Sequence, residues 1–347
     1  MATNKTSAEI AASTAAVSGK PTLKTIARIS GLAVPTVSRA LNDAPDIGVE
    51  TKKLIRKIAS DIGYVPNRAG VRLRTGRTNV ISLVMSTEMD LMSHTARLIS
   101  SVAGALRDTP YHLIVTPYFP DQDPMEPVRY IVETGSADAI ILNQIRPEDP
   151  RVRYMMDRKF PFATHGRTAQ ASQHPYYDYD NEAFGTIAAQ RLIARGRKHI
   201  LLIAPPPEQN YAQHMIAGAS RAAQEGGINL TVSDAVSSDN KSPQVVAYVI
   251  DTLTRNPAID AVIVGSTTSA MAAVSGIEHC GKTVGKEVDV FAKEAVPFLK
   301  LFRADILTLA EKVGIAGEFL AKAAMQAIRD PDAPPMQSLE MPSDDPL

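Results

Sequence analysis

The segment TLKTIARISGLAVPTVSRALN, residues 22–42, decides how the rest of the chain is read. Thr22 is placed to cap a helix over Leu23–Ile29, where Leu23, Ile26, Ala27 and Ile29 form one apolar stripe, and Gly31 ends it. A second helix starts at Val34 and Pro35 and runs to Leu41, with Val37, Ala40 and Leu41 turned inward. A third is expected over Glu50–Ile62, where Leu54, Ile55, Ile58 and Ile62 recur at helical spacing and Gly63 stops the run. Three short amphipathic helices with a glycine turn after the first make a helix-turn-helix unit. A helix lying in a DNA major groove exposes polar or basic side chains near its start and buries its opposite face. Thr36, Ser38, Arg39 and Asn42 fall on the outer face. Arg39 carries the donor fork that pairs bidentately with guanine. Thr22, Ser38 and Asn42 suit phosphates, which fix register without reading sequence.

The charge distribution agrees. The 347 residues carry 37 Lys and Arg against 37 Asp and Glu, yet residues 1–78 hold 13 basic and 5 acidic groups, leaving 24 against 32 in the remainder. A basic first quarter on a larger acidic body fits a small module for a polyanion and a body that avoids it. Composition narrows the class further. With 44% hydrophobic and 21% charged residues there is ample core material for a soluble protein, while 5% aromatics and no Trp disfavour an aromatic-rich sheet. Cys280 stands alone, so no internal disulfide forms, and no Cys/His cluster shows zinc-ligand spacing; the reading is cytoplasmic, metal-free and without a cofactor. Apolar runs such as Ile81–Met85 and Ile200–Pro207 are far shorter than the roughly 18 residues of a membrane span. The Ala/Ser/Thr-rich start lacks an unbroken apolar stretch, which argues against a secretory signal and for a disordered leader over residues 1–20.

Beyond Asn79 short apolar runs alternate with amphipathic stretches. Strands are expected at Val80–Met85, His112–Thr116, Ala139–Leu142, Phe162–Thr164, His199–Ile203, Ala261–Val264 and Val288–Phe291, with helical patterns between them. Alternation of this kind implies parallel sheets covered on both faces, and some 250 residues exceed what one core usually holds, so two doubly wound lobes are expected. The tail from Asp330, rich in Pro and Asp, reads as extended or disordered.

The residues Thr-Val-Ser-Arg-Ala-Leu-Asn at 36–42, Gly63-Tyr64-Val65-Pro66-Asn67, and Leu73-Arg74-Thr75-Gly76-Arg77-Thr78-Asn79-Val80-Ile81 resemble the LacI/GalR family of bacterial transcriptional regulators. The likeness runs from Pro21 to about Pro342. It implies a helix-turn-helix domain over 21–66, a hinge over 67–78, a two-lobed effector-binding and dimerisation body over 79–342 with crossovers near 180, 307 and 331, and a tail over 343–347. It further implies that Val34, Pro35 and Arg39 occupy base-reading positions. Asn67–Arg74 would become a helix on DNA, with Arg68 and Arg72 on phosphates and Leu73 wedged into the minor groove. Two residues depart from the family pattern. Ala33 replaces the usual capping Ser, a loss of ~1 kcal/mol, and Gly70 replaces a hinge Ala, weakening that helix by about 0.5–1 kcal/mol. The partners implied are pseudo-palindromic double-stranded operator DNA, a second copy of the chain, and a small effector of sugar type, with no membrane.

Ligands of parallel sheets sit beyond the carboxyl ends of the strands. Applied here, that rule selects His165 and Arg167, then Tyr211 and His214, then Ser266 and Thr267, then Lys293 and Glu294. The family's sugar pattern is only partly present: Met215 precedes Gly218 where an Arg is usual, Ser266-Thr267 replaces Asn-Asp, and Glu294 replaces a late Asp. Asp178, Asp180, Asn181 and Glu182 read as surrounding the lobe crossover and capping the helix that follows. Gly276–Thr283 matches the phosphate-loop pattern, but it follows a helix and precedes a strand, the reverse of the order that pattern requires. No nucleophile or metalloprotease motif occurs, so an enzyme is not expected. The alternative is a solute-binding or sugar-processing protein with the same two-lobed body.

Overall fold

The computed structural model describes residues 19–65, 72, 76–87 and 94–343. The expected leader, except Gly19 and Lys20, most of the hinge, and the tail beyond Ser343 lie outside them. The chain divides into two compact units, Met1–Thr78 and Asn79–Leu347.

In the first unit, helices α1 (Leu23–Ser30), α2 (Val34–Leu41) and α3 (Val49–Asp61) enclose a core of Ile26, Ile29, Val37, Ala40, Ile55 and Ile58. Burying each Ile is worth about 1.5–3 kcal/mol. That is enough to hold three helices too short to persist alone in water. Thr22 and Thr25 form a reciprocal capping box, and Gly31 adopts φ 74°, the left-handed conformation that lets the chain leave α1 and reverse into α2. Leu54, expected in the core stripe, is instead 36% exposed, because α3 turns Ile55, Ile58 and Ala59 toward its neighbours.

The second unit is two parallel sheets. The first has the order β11-β5-β4-β3-β1-β2 and the second β10-β9-β8-β6-β7. Strands β1 (Val80–Ser86), β2 (His112–Tyr118), β3 (Ala139–Leu142), β4 (Phe162–His165), β5 (Tyr176–Tyr179) and β11 (Gln337–Glu340) make one lobe. The other contains β6 (His199–Ile203), β7 (Asn229–Val232), β8 (Ala261–Val264), β9 (Asp289–Glu294) and β10 (Ile306–Ala310). Fully buried strands such as β3 and β8 read as continuous apolar runs, as expected of a sheet covered on both faces. Strands β5, β7, β10 and β11 do not. Asp178 interrupts β5, and β7 and β11 are partly exposed edges where the apolar signal is weak.

The C-terminal segment corrects the expectation of a crossover near 331 and gives the extended tail from Asp330 a place as a sheet edge. After leaving β10, the chain enters the first lobe at Glu311–Lys312 as a long helix, Val313–Arg329. It then stays there, pairing β11 in parallel with β5. Two hydrogen bonds fix this edge: Tyr177 Oη–H donates to Glu340 Oε2 at 2.8 Å, and the Lys312 N–H donates to Glu340 Oε1 at 2.8 Å. Only at Ser343, which bridges Ala310, does the chain return to the second sheet. Gly281, with φ 74°, terminates the helix Thr267–His279, and Lys282 donates to the Pro257 carbonyl, so the Gly276–Thr283 segment makes no phosphate cradle. Among the described residues, no helix is long and apolar enough to cross a membrane.

Candidate functional site

The helix-turn-helix unit presents α2 with Val37 and Ala40 inward and Pro35, Arg39 and Asn42 exposed; Val34, Thr36 and Ser38 are half-buried. No side chain caps its start at Ala33, and Pro35 supplies the preset φ of a first turn instead. The Asn42 amide donates back to the Ser38 carbonyl and closes the helix. Exposed Thr22 uses its hydroxyl as the cap of α1, accepting the Thr25 N–H. The Arg39 guanidinium is oriented by one acid: Nη1 donates to Asp46 Oδ2 at 2.6 Å, across the turn that follows α2. In the same turn Asp43, at φ 58°, takes Lys52 and Arg56 as partners at 3.0 and 2.9 Å, which hold its carboxyl below the usual range, Lys52 most strongly. Arg72 is exposed, and its carbonyl accepts the Gly76 N–H. Asn67, Arg68 and Leu73 lie outside the described residues.

In the body a cavity of about 280 Å³ opens between the carboxyl ends of the two sheets. Of the residues selected from the sequence, His165, Tyr211, Ser266, Thr267 and Lys293 line it. Arg167, His214 and Glu294 do not. Arg167 is instead paired with Asp178, its Nε donating to Asp178 Oδ2 at 2.6 Å, and Asp178 lines the cavity in its place. His214 follows Tyr211 by three residues on the helix Asn210–Glu225, and only Tyr211 points inward. Glu294 is excluded by strand alternation: neighbouring residues of β9 face opposite sides, and with Lys293 in the cavity Glu294 is buried against the Leu299 N–H.

The structure adds residues that were not selected from the sequence. Asn143 and Gln144 follow β3, and Asp178, Tyr179 and Asn181 come from the unrecognised β5 and its crossover. Asp180 does cap the helix Asn181–Ala194, as read. His94 and Glu311 arrive from positions far apart in sequence. Ser238 to Ser242 form the rim opposite, following β7.

The deepest wall is a polar hub. Glu311 Oε1 lies 3.1 Å from His94 Nε2 and 3.8 Å from His165 Nε2, and its Oε2 lies 2.9 Å from Lys293 Nζ. Burial alone would raise the Glu311 pKa, but Lys293 above all, then His94, hold it well below the usual carboxylate range. His165 is pushed down to about 3, chiefly by burial and then by His94, so its imidazole is neutral. Lys293 also donates to Asn181 Oδ1 at 3.3 Å and sits 5.3 and 5.7 Å from the ring centroids of Tyr179 and Tyr211. The cavity thus offers flat aromatic faces, carboxylates, amides and hydroxyls converging on one space, the recognition set for a polyhydroxylated ligand.

Residues 22–67 match the family of bacterial regulatory proteins described as lacI, and residues 84–331 match the periplasmic binding proteins and sugar binding domain of the LacI family. The transcriptional regulator AglR of Rhizobium meliloti (strain 1021) is 30% identical over 325 residues, covering 91% of this chain and 90% of the relative. Two solved structures share the fold. The complex of the regulator CelR with cellobiose aligns with a TM-score of 0.68 at 22% identity, over 93% of this chain and 98% of its own. The Lac repressor dimer bound to operator and the anti-inducer ONPF aligns with a TM-score of 0.80 at 17% identity, over 94% and 97%.

Proposed function

The chain belongs to the LacI family of bacterial regulatory proteins, and from that membership we propose a homodimeric, cytoplasmic repressor of carbohydrate uptake or breakdown genes, whose operator affinity is set by a saccharide in the inter-lobe cavity. One observation carries the reading: a single chain joins a helix-turn-helix unit with an exposed Arg39 to a body whose polar cavity is built from the strand ends of two sheets. Helix-turn-helix units work in pairs on half-sites, and the structural neighbour described as a dimer on operator supports a pair here. The relative in complex with cellobiose supports a saccharide, as does the Tyr179–Lys293–Tyr211 arrangement. In this reading Arg39, Val34 and Pro35 face base edges, Thr22, Ser38, Asn42, Arg68 and Arg72 serve phosphates, and Leu73 wedges the minor groove. Control is by binding and involves no catalytic step.

The test has two arms. In the first, the full chain is presented with randomised duplexes; it should select a pseudo-palindrome, and affinity should fall steeply with salt. Residues 79–347 alone should not bind, and if they bind as tightly as the whole chain the DNA-binding assignment fails. In the second, mono- and disaccharides are screened by thermal shift; a hit should change operator affinity, and a complete set without effect would remove the saccharide assignment.

A further inference from the structure

One nitrogen at the deepest wall, His165 Nε2, has no hydrogen-bond partner among the described residues although it is buried, and it lies beside His94 Nε2 and Glu311 Oε1, which are 3.1 Å apart. Buried polar atoms are nearly always satisfied, so an orphan imidazole nitrogen beside a second histidine and a carboxylate calls for a ligand. His94, His165 and Glu311 each bring a ligand atom into a group in which all lie within 4.8 Å of one another. Bonds of about 2.1 Å to nitrogen and oxygen set the ligand atoms of one tetrahedral ion about 3.4 Å apart. The separations of Glu311 Oε1 from the two Nε2 atoms, 3.1 and 3.8 Å, bracket that value. We propose that His94, His165 and Glu311 form a binding site for a late first-row divalent cation of the zinc type, with its remaining coordination positions facing the cavity.

The surroundings fit this use. Two imidazoles and one carboxylate suit zinc, cobalt or nickel and are a poor set for calcium or magnesium, which take oxygen ligands. Glu311 is buried, and Lys293 holds its Oε2, which orients the carboxylate and leaves Oε1 toward the histidines. The ammonium of Lys293 opposes a second cation, so the site should be weaker than a closed four-ligand cage. Because three protein ligands leave positions open, water or a ligand hydroxyl completes the shell. No linear spacing in the sequence announces the site: residues 94, 165 and 311 meet only where the first lobe and the lobe crossing converge. The proposal extends the cavity's role without depending on which saccharide, if any, enters it.

The experiment uses the untagged full-length protein stripped with a chelator and titrated with zinc chloride by calorimetry, and separately with cobalt chloride, whose visible absorption reports tetrahedral nitrogen and oxygen coordination. One equivalent per chain is expected, with a rise in melting temperature. His165→Asn and Glu311→Gln should each weaken binding by more than about 100-fold, beyond what loss of an outer partner costs. The exposed His279, changed to Asn, should leave binding intact. Circular dichroism of each variant before metal addition shows whether the fold is retained, and the cobalt spectrum of the unmodified protein tests the ligand set without any substitution. Absence of a stoichiometric equivalent, or an equivalent that survives His165→Asn in a folded variant, overturns the proposal. Operator binding in the presence of the chelator tests the regulator reading separately, so failure of one does not mimic failure of the other.

Discussion

Arg39→Ala isolates the residue on which sequence-specific recognition should chiefly rest. Its side chain is 55% exposed and contributes nothing to the core, which α2 builds with Val37 and Ala40, so folding stability should change by no more than about 0.5 kcal/mol. On DNA, a bidentate guanine contact is worth about 1–3 kcal/mol, so operator affinity should fall roughly 5- to 150-fold. Asp46 modifies that figure. Its partner Nη1 sits 2.6 Å away, and with both side chains about half exposed the pair is worth no more than about 1 kcal/mol, less as salt rises. Asp46→Asn releases the guanidinium and removes a negative charge beside Arg39, so it should tighten operator binding by up to about fivefold. If the gain runs through Arg39, it should shrink in the Arg39→Ala background, which a double-mutant cycle measures. Fluorescence anisotropy on the operator, on operators changed at one base pair per half-site, and on an unrelated duplex provides the readings. Equal weakening on all three duplexes, with the salt slope reduced by about one, would make Arg39 a phosphate contact and refute its placement as a base reader.

Three further outcomes follow from the body. Tyr211→Ala should reduce the thermal shift given by a bound saccharide while leaving saccharide-free operator binding unchanged; a weakened saccharide-free operator complex would contradict its place in the cavity wall. Gly218→Ala should destabilise the body by at least about 1–3 kcal/mol in urea titration, because a Cβ there overlaps the Glu182 carbonyl and forces the helices Asn181–Ala194 and Asn210–Glu225 apart; an unchanged midpoint would show that they separate freely. Burial lowers the His174 pKa from its ordinary value of 6.5, so as pH falls the unfolded chain takes up this proton before the folded chain does. Stability should therefore decline as pH drops below about 6.5, and His174→Asn should flatten that slope in thermal melts.

What could be read from the sequence divides along a physical line. The three helices of the first unit announce themselves because their burial follows local periodicity, and strands such as Ala139–Leu142 and Ala261–Val264 because burial on both faces makes them continuous apolar runs. The β11 edge does not: Gln337, Ser338 and Glu340 are polar, and only pairing with Tyr176–Tyr179 makes them a strand. The cavity shows the same division. Its strand-end residues His165, Ser266, Thr267 and Lys293 were accessible to a rule about parallel sheets. Arg167 misled because a long cation at a strand end can turn to a buried acid as easily as to a ligand, and here Asp178 takes it. Glu311 was hidden because β10 was not recognised, and His94 because nothing in its neighbourhood of the chain marks it.

Those hidden residues change what the cavity is. Without Glu311, Lys293 would stand as a lone buried ammonium; with it, the second lobe's Lys293 and the crossing segment's Glu311 form an ion pair in which the carboxylate is 3% exposed. Removing one partner of such a pair typically costs about 3–5 kcal/mol, because the other is left charged and dehydrated. His94 and His165, from the first lobe, contact the opposite oxygen of the same carboxylate. Glu311 is therefore the point at which both lobes and the strand-to-helix crossing between them meet the cavity contents. A ligand can shift the relation of the lobes only by as much as it binds one arrangement better than the other. The Tyr211 ring can supply affinity, and a ligand that reaches Glu311 meets groups held by both lobes.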